Sequence, residues 1–210
     1  MLTIENAETF GWEAAIRGMR SPKNSWDKSD SCWSSPNENG TDKPMYIIGE
    51  NDLKLMHTLA AAGQDHGKFL RMIHVQLDVN APLYWHKEAD QYKVGTVTDS
   101  CSTMHKIHSK EFTLDDFSHE HLYSPLHDLK PTVDLLNVYR ERFLETKDKE
   151  DWWQLIQLLP SSYNQRRTWD LNYAVLRNIY HARRNHKIDE WHTLCDWIET
   201  LPYAKELICG

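Results

Sequence analysis

A chain of 210 residues with 40% hydrophobic and 11% aromatic side chains is long enough to bury one substantial core and too apolar to stay disordered. Its net charge of -7 argues against a polymeric nucleic-acid partner, whose phosphates call for an excess of Lys and Arg, and leaves room for a single nucleotide held by a few cations. No apolar run nears the roughly 20 residues that cross a bilayer, and the start MLTIENAETF lacks a basic region followed by an apolar stretch, so a cytoplasmic protein is expected.

From Ser21 to Pro44 the chain is rich in Ser, Asn, Asp, Gly and Pro, which is loop chemistry. Two tryptophans, Trp26 and Trp33, are odd choices for a solvated linker, so this long polar loop, extending to about residue 50, is a candidate lid or subunit contact. Asn51 or Asp52 can cap a helix in which Leu53, Met56, Leu59 and Ala60 recur at helical spacing, with Gly63 just past its end. In RMIHVQLDV, Ile73, Val75, Leu77 and Val79 alternate with His74, Gln76 and Asp78, the period-2 pattern of a half-buried strand. Pro82 should end that strand or place it at an edge.

The stretch from Ala81 to Ile107 crowds aromatics, His, Lys, Glu, Ser and Cys together with neither helical nor strand rhythm, which marks it as a binding loop. A short helix capped by Thr113 is expected next. Further helices follow over TVDLLNVYRERFLETK and over EDWWQLIQLL, the latter stopped at Pro160. An aromatic-rich helix then carries Trp169, Asn172, Tyr173, Leu176, Ile179, Tyr180 and Arg183, and a last one carries Trp191, Leu194, Cys195 and Ile198. Mostly helices with a clear strand and a few weaker ones give an α+β class and a single domain over residues 1–210.

Candidate chemistry is sparse. The pairs His105 with His108 and His119 with His121 lack the i, i+4 spacing and intervening Glu of zinc hydrolases, so no metal site is assigned. Cys32, Cys101, Cys195 and Cys209 form no C-x-x-C pair and read as reduced thiols. With 8 Gly there is no phosphate-cradling glycine loop. Anion binding therefore falls to side chains. Arg166, Arg167, Arg177, Arg183 and Arg184 gather in and around the aromatic-rich helix, whose start at SYNQRRT should favour an anion, and the planar guanidinium fork suits phosphate oxygens. A solvated charged face is the alternative reading.

The order of these parts resembles the flavin-dependent thymidylate synthases. LPSSYNQRRTWDLNYAVLRNIYHAR preserves the family's Leu-Pro, Arg, Asn, Leu and Arg at Leu159, Pro160, Arg166, Asn172, Leu176 and Arg183 without a gap. Upstream, the frame of His66, the strand to Val79, Pro82 and Ser102 follows the family's order. The signature R-H-R is replaced by Gln91-Tyr92-Lys93, the Gln of the family by Glu88, and the Arg of its Ser-x-Arg-Tyr ending by Met104. The resemblance implies a central, mostly antiparallel sheet with surrounding long helices. It also implies an FAD-dependent enzyme carrying out reductive one-carbon transfer, methylation or hydroxymethylation, to C5 of a pyrimidine nucleotide such as dUMP, with methylene tetrahydrofolate and NADPH as co-substrates, in a homotetramer. By position, Arg166 and Ser102 would hold the nucleotide phosphate, Glu88 and Gln91 would meet the base, and His66, Arg183, His181 and Lys93 would face the flavin. Lys93 and Glu88 would be the polarising groups in a reaction whose hard chemistry belongs to cofactors. Loss of both signature arginines leaves a second reading, a nucleotide-binding or oligomeric protein that kept the fold without flavin.

Overall fold

The computed structural model of the protein describes residues 1–34 and 46–210. Strand β1 (Thr3–Phe10) leads into helix α1 (Trp12–Arg20), and 3-10 turns at Ser21–Lys23 and Trp26–Lys28 precede the short strand β2 (Cys32–Trp33). Its antiparallel partner β3 (Tyr46–Ile47) sets Cys32 opposite Ile47 and Trp33 opposite Tyr46. Next come α2 (Glu50–Ala61), a 3-10 segment at Gly67–Met72, β4 (His74–Pro82), α3 (Leu83–Ala89), a 3-10 turn at Asp90–Tyr92 and β5 (Val97–Ser100). After a 3-10 turn at Leu114–Asp116, the chain forms α4 (Pro125–Asp128), α5 (Lys130–Thr146), α6 (Lys149–Leu158), β6 (Asn164–Asn172), α7 (Tyr173–Arg183), α8 (Asp189–Ile198) and a closing π-helical turn, Lys205–Cys209. The larger sheet has four strands in the order β1-β4-β6-β5 and is mostly antiparallel, so the α+β expectation holds. The part of the polar loop at residues 35–45 lies outside the described residues.

The chain packs as two compact units, one of Met1–Asn6, Leu77–Lys93 and Thr98–Trp169, the other of Ala7–Gln76, Val94–Val97 and Asp170–Gly210. In the first, the α5 and α6 pair covers a cluster of Ile107, Phe112, Phe117, Leu129, Val133, Leu136 and Leu155. Beside the sheet the buried rings of Trp85 and Trp169 stack with centroids 5.6 Å apart. Fully buried His86 shares a hydrogen bond with the Gln165 carbonyl at 2.9 Å. Burial disfavours its imidazolium and pushes its pKa down to about 4, so the ring is neutral at ordinary pH.

In the second unit Trp12 meets Tyr173 edge-on at 5.2 Å, and the Tyr173 hydroxyl donates to the Pro202 carbonyl at 2.7 Å. Gly11 has φ +92°, and a Cβ there would fall 2.0 Å from the Met72 carbonyl oxygen, so only glycine fits this approach. Neither Asn51 nor Asp52 caps α2, contrary to the expectation from sequence; the N-cap position is Gly49. The capping carboxylate comes from Asp30, which accepts from the backbone N–H of Asn51 at 2.8 Å and of Asp52 at 3.0 Å. Asp52 itself lies inside the first turn, fully buried against Arg20.

The strand expected over RMIHVQLDV is β4, with Ile73, Val75, Leu77 and Val79 buried, and Pro82 ends it. Two further expectations fail. Asn164–Asn172 is a strand rather than the start of a helix, because Gln165, Trp169 and Leu171 alternate inward while Arg166 and Thr168 face outward. The helix begins only at Tyr173. Asn172 caps it, its Oδ1 accepting from Val175 N–H at 3.1 Å. The stretch from Ala81 to Ile107 is also not a loop throughout, since it forms α3, a 3-10 turn and β5, with Trp85, His86 and Ala89 buried on one side of α3. Replacing Asn172 by Ala removes the α7 cap and is expected to cost about 1 kcal/mol, checked by urea unfolding of the two proteins.

Candidate functional site

Arg166 stands on the outward row of β6, not at a helix N-terminus, so no helix dipole assists it. Its Nη2 donates to Asp78 Oδ2 on β4 at 2.7 Å and lies 3.3 Å from Glu5 Oε2 on β1. Asp78 also accepts from the Thr168 hydroxyl at 2.6 Å and from Asn6 Nδ2 at 2.9 Å. The Arg166 hydrogen bond above all, then those of Thr168 and Asn6, hold the Asp78 carboxyl well below the usual carboxylate range. The guanidinium is thus oriented from one edge. Its five donors in a fixed fork exceed what one Nη2 nitrogen spends on two carboxylates. Any phosphate must compete with those carboxylates for charge.

Next to it, Cys101 N–H donates to the Arg166 carbonyl at 3.0 Å, which fixes the start of the Ser102 turn. The Ser102 hydroxyl oxygen accepts from the N–H groups of Met104 at 3.2 Å and His105 at 3.1 Å, and lies 2.8 Å from His105 Nδ1. Two backbone N–H groups and an imidazole therefore gather around a half-buried hydroxyl in the same unit as Arg166. Arg167, which alternates to the other side of the strand, binds Asp90 Oδ1 at 2.6 Å and Gln165 Oε1 at 2.9 Å. Its charge is committed to holding the 3-10 turn that carries Gln91.

Glu88 is half-buried at the end of α3, while Gln91 and Lys93 are exposed in and just after the 3-10 turn. All three belong to the unit of Arg166 and Ser102. In the other unit, His66 is exposed at the N-cap position of the 3-10 segment, and His181 is exposed on α7. Arg183, in the last turn of α7, lays its guanidinium over the Trp191 ring, 4.8 Å from the centroid, in a cation–π contact. Arg166 and Arg183 do not share a helix, since β6 ends and α7 begins between them. Arg177 and Arg184 are also committed, Arg177 to the carbonyls of Leu207 and Gly210, and Arg184 to Asp196 and Glu199.

Within the second unit His66, His181 and Arg183 offer two imidazoles and one guanidinium with no carboxylate among the three, donor chemistry that suits an anionic flavin nucleotide. His105 and His119 are engaged locally, His119 Nδ1 lying 2.8 Å from the Phe117 carbonyl. Among the described residues no group of three or more His, Cys, Asp and Glu side chains is placed to hold a metal ion. No helix among them is long and apolar enough to cross a membrane.

Sequence reading singled out Arg166 but not its partners. Asp78 sits on the polar row of the alternating strand β4, which was visible, yet its meeting with Asn6, Arg166 and Thr168 depends on the strand order β1-β4-β6.

Solved structures share this fold. Thymidylate synthase X (ThyX) from Helicobacter pylori, crystallised with FAD and dUMP, superposes with a TM-score of 0.71 at 15% identity, covering 99% of this chain and 97% of that one. A second structure of flavin-dependent thymidylate synthase from the same organism, complexed with FAD and dUMP, gives 0.67 at 16% identity over 99% and 97% of the two chains. The UMP/dUMP methylase PolB from Streptomyces cacaoi, bound with 5-Br dUMP, gives 0.62 at 14% identity over 100% and 95%. The chain has the flavin-dependent thymidylate synthase fold at low sequence identity. No protein-family model matches the chain, and no curated protein matches its sequence.

Proposed function

We propose that this protein is a flavin-dependent enzyme that transfers a one-carbon unit reductively to C5 of a pyrimidine nucleotide such as dUMP. The carrying observation is Arg166, held on a strand beside the Ser102 turn with part of its donor fork unspent on Asp78 and Glu5. The fold it shares with enzymes crystallised with FAD and dUMP supports the same reading, though a shared fold leaves the chemistry to the site.

In this reading Arg166 binds the nucleotide phosphate by charge-assisted hydrogen bonds, and the Ser102 hydroxyl, whose oxygen is held by two backbone N–H groups, donates to the same phosphate. Glu88 accepts from the ring N3–H of the uracil, and Gln91 and Lys93 donate to its carbonyl oxygens, the ammonium drawing electron density from the ring. A lysine delivers charge there without the two-pronged geometry of arginine. His66, Arg183 and His181 would hold FAD, which when bound supplies the hydride. Methylene tetrahydrofolate is the one-carbon donor, NADPH the reductant, and the working assembly is a homotetramer with sites shared between subunits.

The test is direct. Protein purified and incubated with FAD should retain a stoichiometric yellow chromophore through gel filtration, and dUMP should raise its melting temperature. Absence of both overturns the proposal. A dUMP shift in colourless protein instead supports the nucleotide-binding reading without flavin, which the replacement of the two signature arginines by Gln91 and Lys93 favours.

A further inference from the structure

A cavity lies within the unit that contains α1 and α8, and its described lining shares no residue with the set assigned above. It measures about 960 Å³, within the range of small-molecule sites. Its walls are aromatic: Phe10, Trp12, Trp33, Tyr46, Trp197 and Tyr203. The Trp33 and Tyr46 rings meet edge-on at 5.2 Å across the β2–β3 ribbon, and Trp12 meets Tyr203 at 5.6 Å, so the walls are held by each other. Trp33 is 56% exposed, so its indole is open to a ligand as well as to Tyr46.

The polar chemistry is one-sided. Among the described lining residues Glu13 is the one charged side chain. One of its oxygens, Oε2, accepts from Trp33 Nε1 at 3.3 Å, which keeps the carboxylate at the edge of the indole. A carboxylate has about four acceptor sites, so most of its capacity remains. Among the described lining residues there is no Lys or Arg, and a phosphate would instead meet the Glu13 carboxylate. The cavity is also far larger than an alkylammonium head group needs. These features select a flat, uncharged nitrogen heterocycle that stacks on indole and phenol faces and offers adjacent N–H donors to a carboxylate.

We propose that this cavity binds a purine-type ring with two neighbouring N–H donors on one edge, as guanine presents, stacked against Trp33 and hydrogen-bonded to Glu13. A ring with a single donor on that edge, as in adenine, satisfies one carboxylate oxygen and binds more weakly. A phosphate on the sugar adds nothing to affinity here.

Isothermal titration of the full chain with guanosine, adenosine and GMP tests the proposal. Guanosine should bind more tightly than adenosine and no more weakly than GMP. Trp33→Ala should weaken guanosine about tenfold, the loss of one stacked face, and Trp33→Phe should restore most of it. Glu13→Gln, on an exposed side chain whose change leaves the fold in place, should weaken guanosine about tenfold and leave adenosine nearly unchanged. Arg166→Ala should leave guanosine binding intact, whatever it does to dUMP. No guanosine binding at millimolar concentration, an unchanged affinity in Glu13→Gln, or loss of guanosine binding in Arg166→Ala would each overturn the assignment.

Discussion

Asp52→Ala is expected to lower the unfolding free energy by about 3–5 kcal/mol, the cost of leaving one member of a buried ion pair uncompensated. Asp52 and Arg20 are both almost completely buried, with Arg20 Nε donating to Asp52 Oδ1 at 2.6 Å. The other carboxylate oxygen accepts from the hydroxyls of Ser29 and Ser31 at 2.6 Å each and from the N–H groups of Asp30 and Ser31 at 3.2 Å each. Removal of the carboxylate strands a guanidinium, two hydroxyls and two amides together. Guanidinium chloride unfolding measures the loss. The joint replacement Arg20→Met with Asp52→Leu should recover much of it, because a buried apolar pair costs less than a lone charge. Burial alone would raise the Asp52 pKa, but the hydrogen bonds from Ser29, Ser31 and Arg20 and the charge of Arg20 outweigh it and hold the value low. A carboxylate with a depressed folded pKa stabilises above its unfolded value, and that stability is lost as pH falls through the folded value. Acid unfolding should therefore begin below about pH 4 in the native protein, and Asp52→Asn should flatten that limb.

Arg166→Ala is expected to weaken dUMP roughly 10- to 100-fold, since a hydrogen bond to a charged group is worth about 1.5–3 kcal/mol. Arg166 and Glu5 are exposed, and half-buried Asp78 keeps its hydrogen bonds from Thr168 and Asn6, so stability should change little. Titration of dUMP and of deoxyuridine separates the effects: only the phosphate-bearing ligand should lose affinity. Asp78→Asn is the companion measurement. It removes the charge that competes with phosphate for the guanidinium while keeping one acceptor oxygen in place, and dUMP should bind several-fold more tightly. Equal dUMP affinity in native protein and Arg166→Ala would remove the phosphate from this strand.

Much of this was legible along the chain. The alternation from Ile73 to Val79 wrote out β4, and the apolar spacing through Val133 and Leu136 wrote out α5, because each pattern is local and strong. Strand β6 was missed because Arg167, an inward-facing cation with its own partner in Asp90, interrupts the alternation of Gln165, Trp169 and Leu171. A continuous helical spacing from Tyr173 onward then drew the helix too far back. The same limit governs the site. Arg166 could be picked out as a cation in a suggestive register, but the Asp78 and Glu5 carboxylates that restrain it come from strands distant in sequence, and only the sheet order joins them. The Asp30 cap was hidden for the same reason.

That cap gives α2 an unusual dependence. Its leading amides are quieted by a side chain 22 positions upstream, while its own Asp52 reaches back to hold that side chain's neighbours, so each segment completes the other. A helix that supplies its own cap can nucleate while the rest of the chain is still searching. This one has to wait for a loop to close first. Helix and loop then behave as one cooperative element, opening and shutting together, and insertions between them tax the helix as much as the loop.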